Sequence, residues 1–110
     1  MPRHSLQAFE LQVLLAILRQ GGEAYSVPIV LELEKRTGRA VAPAAVFIAL
    51  SRLEKKGLAL SRLDDGAAQS GRVRRYFKPT KAGLKLVRDA RLAHARLWQG
   101  LDRILGSERR

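Results

Sequence analysis

The chain contains no cysteine and only two histidines among its 110 residues. Disulfide bonds and thiolate metal sites are therefore excluded, and His4 and His94 have no second ligand at a useful spacing. No nucleophile–base constellation is present either, and Asp64 and Asp65 are typical of a turn rather than of a catalytic pocket. We therefore expect a protein that is not an enzyme and that carries no metal and no cofactor.

Long apolar runs are also missing from the chain. The run at residues 11–18 is far shorter than the roughly 20 residues that a membrane-spanning helix needs. Residues 1–4 do not have the design of a signal peptide, so we expect a cytoplasmic protein. The length suits one small domain, because a chain of this size buries only roughly two-thirds of its unfolded surface.

Acidic residues are scarce, with ten Asp and Glu against 21 Lys and Arg, which gives a formal net charge of +11. Such an excess is typical of proteins that bind a polyanion, either nucleic acid or an anionic membrane surface. Asp89 and Asp102 interrupt the basic charge near the C-terminus, which argues against a helix on a membrane surface. Nucleic acid is therefore the expected partner.

Residues 41–56 have the pattern of a recognition helix, the helix that enters a groove of DNA. Pro43 suits its first turn, and Gly57 can end it in a left-handed conformation. One face is apolar at the i, i+3, i+4, i+7 spacing and should pack inward. The opposite face is small or basic and should be exposed: Ala44, Ile48, Arg52 and Lys55.

Two more helices are predicted before this segment. The first covers residues 6–19 with Ser5 as its N-cap, and the second begins at Ser26, which can cap it. The apolar stripe of the first helix includes Leu6 and Phe9, and its width implies neighbours on two sides or a second subunit. Two helices, a tight connection and a recognition helix form a helix-turn-helix.

A β-hairpin is predicted after Gly57. Residues 58–63 and 73–78 are strand candidates, separated by turn signals. The second strand and its approach carry four basic residues that we assign to a wing, a hairpin that reaches phosphates or the minor groove beside the recognition helix. These residues are Arg72, Arg74, Arg75 and Lys78. An ordinary run of solvated charges is the alternative.

Thr80 can cap a last helix that we predict to continue to about Leu105. Its second half has more apolar surface than a terminal helix can leave in water, so a second subunit is the expected partner. The residues concerned are Leu97, Trp98, Leu101, Ile104 and Leu105. Two copies of Trp98 in a dimer could stack a flat aromatic effector, but packing in the dimer core is the favoured interpretation.

Three groups of residues occur together in the order and spacing of one known family. The first accompanies the recognition helix: residues 43–47, Leu50, residues 52–54 and residues 57–58. The second is residues 23–27, and the third is residues 71–72 and 75–77, Thr80 and Gly83. Together they resemble PadR-like transcriptional regulators over roughly residues 9–88. The chain departs from the family pattern at Ala42, often Ser or Thr, and at Phe47, often Tyr, so that a helix cap and a hydroxyl are absent.

The resemblance implies a mainly α fold with a minor β part, a winged helix-turn-helix with a two-stranded wing and a C-terminal dimerisation helix. The DNA-binding domain would cover residues 1–79 and the dimerisation helix residues 80–110, as one compact unit. It also implies a homodimer that binds a pseudo-palindromic operator in double-stranded DNA. Such regulators usually repress, and a small molecule or a stress signal often releases them.

Candidate DNA contacts outside the wing are the outward residues of the recognition helix and the start of the second helix. They are Tyr25, Ser26, Ala44, Phe47, Ile48, Arg52 and Lys55. Basic residues at a helix end also offset its dipole, and Phe47 is better interpreted as packing. Ile48 could touch a thymine methyl or flank the core, while Tyr25 could be a core tyrosine. A winged-helix module for an acidic protein, or a non-specific nucleic-acid binder, is the alternative function.

Overall fold

The computed structural model describes residues 5–64 and 73–106. Three helices come first: α1 (Ala8–Arg19), α2 (Ser26–Thr37) and α3 (Pro43–Lys55). An antiparallel pair of strands follows: β1 (Ala59–Asp64) and β2 (Arg74–Pro79). Two helices come last: α4 (Lys81–Trp98) and α5 (Asp102–Leu105). This is the predicted mainly helical fold with a two-stranded wing, and Arg72 and the turn that follows Asp64 lie outside the described residues.

The first three helices and the sheet enclose one apolar core. The inward face of α3 is buried as its spacing predicts, with Val46, Leu50 and Leu53 fully covered. These side chains meet the buried faces of the two preceding helices and of the sheet: Val13, Leu14, Ile17, Ile29, Leu33, Leu58 and Phe77. Each such Leu or Ile contributes about 1.5–3 kcal/mol on burial, so the core fixes the orientation of α3.

The starts of α1 and α2 differ from the prediction. The N-cap of α1 is Gln7 rather than Ser5, and the backbone N–H of Gln7 donates to Oε1 of Glu10 at 3.0 Å. In α2, Ser26 is already helical and Tyr25 is the N-cap, without a side-chain cap. Ala24 exchanges two backbone hydrogen bonds with Phe77, at 2.8 and 3.0 Å. This pairing keeps the chain extended up to residue 25, so α2 begins after it.

Gly57 ends α3 as predicted, and its φ of +77° lies in the left-handed region. The N–H groups of Gly57 and Leu58 donate to the carbonyls of Glu54 and Leu53, which is the pattern of a Schellman motif. Because Leu58 belongs to this helix stop, β1 begins at Ala59, one residue later than predicted. The register pairs Ser61 with Phe77 and Arg62 with Tyr76, so these two pairs lie on opposite faces of the sheet.

The predicted continuous last helix is wrong, because the helix is interrupted between Trp98 and Asp102. Gly100 adopts a φ of +83°, which a helix does not contain, and glycine has little helix propensity to oppose the break. The predicted cap at the other end is confirmed, since Oγ1 of Thr80 accepts from the N–H of Gly83 at 3.0 Å. Residues 91–100 are all exposed, so the second half of α4 projects away from the core.

The start of α4 is fixed to the turn that ends α3. Thr80 donates from Oγ1 to the Gly57 carbonyl at 2.8 Å and from its N–H to the Leu58 carbonyl at 3.0 Å. Gly83 packs against the same carbonyl so closely that an added Cβ would lie 2.2 Å from the Leu58 oxygen. The absence of a side chain at residue 83 is therefore a condition of this packing.

Candidate nucleic-acid interface

The outward face of α3 is apolar in its first two turns and basic in its last. Phe47 is 60 % exposed and Ile48 is 52 % exposed, with Ala44 exposed beside them. Phe47 does not pack into the core of its own chain, and its assignment as a DNA contact stays a prediction. Phe47 lies between the buried Val46 and the exposed Ile48. Helical spacing alone did not decide whether it belongs to the buried or to the exposed face of α3.

Arg52 and Lys55 extend this face toward the end of α3, and both are exposed. Within residues 5–64 and 73–106 neither side chain makes a hydrogen bond or an ion pair, so both are available to an anionic partner. Ala42 is the N-cap of α3 and provides no side-chain acceptor, as its departure from the family pattern predicts.

Lys56 follows directly but has a different role. Its Nζ donates to Oε1 of Glu10 at 2.7 Å and to the carbonyl of Ser5 at 2.8 Å. Glu10 is 2 % exposed, and its second carboxylate oxygen has no hydrogen-bond partner in the described part of the chain. The positive charge of Lys56 therefore compensates a buried carboxylate and joins the start of α1 to the end of α3.

One face of the sheet carries a stack in which two tyrosine rings lie between two guanidinium groups. The guanidinium of Arg74 lies 4.5 Å from the centre of the Tyr25 ring, and that of Arg62 lies 4.9 Å from the centre of the Tyr76 ring. The two tyrosine rings meet edge to face at 5.4 Å. The stack fixes the wing against the start of α2, where Tyr25 is half-buried and forms part of the surface rather than of the core.

Glu23 completes this stack by binding Arg62. Its carboxylate accepts two hydrogen bonds from the guanidinium of Arg62, both at 2.8 Å. The hydrogen bond from Arg62 lowers the pKa of Glu23, and the same bond raises the pKa of Arg62. Neither residue was predicted from the sequence, because the two partners are 39 residues apart and no local pattern joins them.

The other face of the sheet connects the wing to α3. Arg75 donates from Nη1 to Oγ of Ser61 at 3.0 Å, and the Ser61 hydroxyl donates to Oε2 of Glu54 at 2.7 Å. Strand alternation places Arg74 and Lys78 on the face opposite Arg75. The predicted basic residues therefore do not form a single row: the described ones lie on both sides of the wing.

The residues predicted to form a dimer interface fall in two regions. Leu6 and Phe9 are half-buried and pack against the core of their own chain. Leu97, Trp98, Ile104 and Leu105 are between 51 and 77 % exposed, and Leu101 is half-buried. Trp98 donates from Nε1 to Nε2 of His94 at 2.8 Å, one turn earlier on α4.

Two features are absent from the part of the chain that the structure describes. No group of three or more His, Asp or Glu side chains there could hold a metal ion. None of the helices there combines the length and the apolar composition needed to cross a membrane.

A model of the transcriptional regulator PadR-like family matches residues 14–89, more than half of the chain. The chain belongs to this family. Its members are DNA-binding transcriptional regulators and not enzymes, so the exposed face of α3 and the wing belong to a DNA-binding winged helix. No curated protein matches the chain.

Solved structures support the fold. A PadR-like transcriptional regulator from Bacillus cereus strain ATCC 14579 has a TM-score of 0.72 at 22 % identity, covering 91 % of this chain and 93 % of that one. A PadR family transcriptional regulator from Eggerthella lenta DSM 2243 has a TM-score of 0.68 at 25 % identity, covering 91 % and 89 %. A winged-helix DNA-binding protein from STIV has a TM-score of 0.70 at 9 % identity, covering 88 % and 98 %.

Proposed function

We propose that this PadR-like regulator is a cytoplasmic homodimer that binds a pseudo-palindromic operator and represses transcription until a small molecule or a stress signal releases it. The outward face of α3 carries the proposal. It is exposed, it ends in the exposed cations Arg52 and Lys55, and it lies beside a basic wing. Family membership favours this function over a module that binds an acidic protein.

The proposed complex places α3 in the major groove. The first turns of a recognition helix meet the base edges, which here means Ala44, Phe47 and Ile48. Arg52 and Lys55 would neutralise phosphates along the groove, and the wing would contact the neighbouring backbone through Arg75 or Lys78. Tyr25 and Ser26, at the start of α2, are proposed to contact a phosphate on the other side of α3.

The proposed dimer uses the projecting half of α4 together with α5. Exposed apolar side chains on such a segment are costly in water and typical of a subunit interface. Leu97, Trp98 and Ile104 supply the largest part of this surface. Two-fold symmetry would then place two copies of α3 on half-sites about one helical turn of DNA, roughly 34–36 Å, apart.

Trp98 is also the proposed contact for an aromatic effector. Its indole N–H is already bonded to His94 at 2.8 Å, so the ring face, and not the N–H, is the part available for stacking. An effector that separates or reorients the two copies of α4 would change the distance between the recognition helices.

Fluorescence anisotropy tests this function directly. The purified protein is titrated onto DNA from upstream of its own gene and onto a scrambled duplex, at two salt concentrations. We expect binding to the upstream DNA that is tighter by roughly a thousandfold, which is typical of specific regulators. Equal and steeply salt-dependent binding to both duplexes, together with no preferred site in a selection from random DNA, would contradict sequence-specific regulation.

A further inference from the structure

The first two turns of α3 contain no side chain that can form a hydrogen bond. Residues 43–50 read Pro-Ala-Ala-Val-Phe-Ile-Ala-Leu, and the first polar side chain of the helix is the half-buried Ser51. Of these residues, Pro43, Ala44, Phe47 and Ile48 are exposed, and the last three lie at the i, i+3 and i+4 positions of one patch. We name these three residues the apolar patch of α3.

Two large apolar side chains gain no favourable contact from water or from phosphate, although the rest of this face is basic and suited to a polyanion. Phe47 and Ile48 are more than half exposed, next to each other, and followed by the cations Arg52 and Lys55. Basic residues hold the helix against the DNA backbone, so the apolar patch must meet whatever lies deeper in the groove. That environment is the row of base edges in the major groove.

Base edges in the major groove present hydrogen-bond donors, hydrogen-bond acceptors and one apolar group, the 5-methyl group of thymine. An apolar side chain that covers an amino group or a carbonyl removes water from it and returns no hydrogen bond, which is unfavourable. The same side chain against a thymine methyl buries apolar surface on both partners, which is favourable. The patch should therefore bind sites with thymine methyl groups at these positions more tightly than sites that present only polar base edges there.

We propose that the apolar patch of α3 reads the 5-methyl groups of thymines, so that the preferred half-site has thymines where the first two turns of α3 enter the groove. The inference rests on the proposed sequence-specific binding and deepens it. The patch extends about 6 Å along the helix axis, at 1.5 Å per residue. This length corresponds to about two base-pair steps of 3.4 Å, so we expect two neighbouring thymines in each half-site.

Replacing thymine by uracil removes only the methyl group and leaves the pairing and the hydrogen-bonding edges unchanged. A preferred site is first selected from a pool of random duplexes with the full-length protein. Each thymine of one half-site is then replaced by uracil, and the dissociation constant is measured by fluorescence anisotropy. We expect a loss of about fourfold for each methyl group that is contacted, and about fifteenfold for two, from the free energy of burying one carbon group.

The F47A/I48A double variant identifies the residues that sense the methyl group. Both side chains are exposed, so the variant should fold, which circular dichroism and thermal unfolding check. We expect its affinities for the thymine and uracil duplexes to become equal within about twofold, since the contact surface is removed. The matched control is L31A, which removes an equally exposed apolar side chain from α2, 59 % exposed, and should retain the full thymine preference.

Failure of thymine recognition and failure of sequence-specific regulation give different results in these experiments. If a preferred site is selected and the wild-type protein binds its thymine and uracil forms equally, the methyl inference is overturned and the regulator function stands. The inference is also overturned if F47A/I48A retains the thymine preference of the wild type. If no preferred site emerges from the pool, sequence-specific regulation itself fails.

Discussion

Glu10 lies among the buried residues of α1, and its carboxylate is 2.7 Å from the ammonium group of Lys56 at the end of α3. Removing one partner of such a pair leaves a buried charge without compensation, which costs more than the intact pair contributes. Lys56 keeps a side-chain exposure of 23 %, so part of this cost is relieved by water.

We expect K56M to reduce the free energy of unfolding by about 2–3 kcal/mol, which is below the roughly 3–5 kcal/mol of fully buried pairs because water reaches part of Lys56. K55M, at the exposed neighbouring position, should change it by less than about 0.5 kcal/mol. Urea unfolding measures both variants. The E10Q/K56M double variant should recover part of the loss, because the buried charge is gone; an additive loss would show that the two residues are not coupled.

Glu23 gives a pH-dependent prediction at the same scale. Its pKa is lowered by the hydrogen bond from Arg62, so the pair stabilises the folded state above the ordinary glutamate value of 4.5. This stabilisation is lost as the pH falls through the lowered pKa. An NMR titration should show the carboxyl of Glu23 titrating below 4.5 in the wild type and closer to 4.5 in R62A. A titration unchanged by R62A would show that the pair does not form in solution.

At the residue scale, the sequence predicted which side chains of α3 are exposed better than it predicted which side chains form ion pairs. The outward positions of Ala44, Ile48, Arg52 and Lys55 follow from helical spacing, and all four are exposed. The pairs Glu23–Arg62 and Glu10–Lys56 join residues 39 and 46 positions apart, and such pairing depends on tertiary packing rather than on any local pattern.

At the scale of elements, residues with a restricted or unusual backbone conformation predicted the ends of α3 well. Pro43 opens α3 and the left-handed Gly57 closes it, as expected. Side-chain caps were less decisive, since the pairing of Ala24 with Phe77 determines where α2 begins. The break in the last helix was missed because the apolar residues on both sides of Gly100 keep a helical spacing across it.

The contact between Gly83 and Leu58 predicts the effect of one added methyl group. Alanine has a higher helix propensity than glycine by roughly 1 kcal/mol, which favours G83A. Its Cβ would however lie 2.2 Å from a backbone oxygen that cannot rotate away. We expect the steric term to prevail and the free energy of unfolding to fall by at least about 2 kcal/mol. Urea unfolding of G83A against A82G, at the exposed neighbouring position, tests this, and a stabilised G83A would contradict the packing described.

The wing gives a prediction about DNA affinity. Arg74 and Arg75 lie on opposite faces of the sheet, and each phosphate contact contributes a slope of about 0.9 to the dependence of log K on log salt. If both reach phosphates in each subunit of the proposed dimer, the R74A/R75A variant loses four contacts and should bind all sequences more weakly, with a salt slope reduced by about 3.6. Anisotropy titrations over a salt series measure the slope, with K35A on the last turn of α2 as the control. An unchanged slope would remove the wing from the DNA contact.

At the scale of the whole molecule, the composition and the family resemblance predicted the fold and the class of function. The winged helix and the membership of the PadR-like family are confirmed. Subunit arrangement depends on contacts between two chains, and neither the apolar spacing of α4 nor the fold of one chain specifies it. The exposed surface at Leu97, Trp98 and Ile104 is the feature that a dimer would cover.

We expect L97K to convert the proposed dimer to a monomer, because a lysine in the centre of an apolar interface would lose its hydration. Leu97 is 73 % exposed in the single chain, so the folded subunit should tolerate the change. Sedimentation equilibrium measures the mass. L31K, which changes a leucine of α2 that is 59 % exposed, should remain a dimer, and a dimeric L97K would place the interface elsewhere.

The hydrogen bonds between Thr80 and the end of α3 hold one end of α4, so that the helix can act as a lever. Its 18 residues span about 27 Å, so a rotation of 10° about Thr80 moves the far end by roughly 5 Å. Thr80 is hydrogen-bonded to Gly57, and Gly83 packs against Leu58. These contacts oppose a rotation of α4 relative to the turn that ends α3. We therefore expect a displacement of a few ångströms at Trp98 to change the angle of α3.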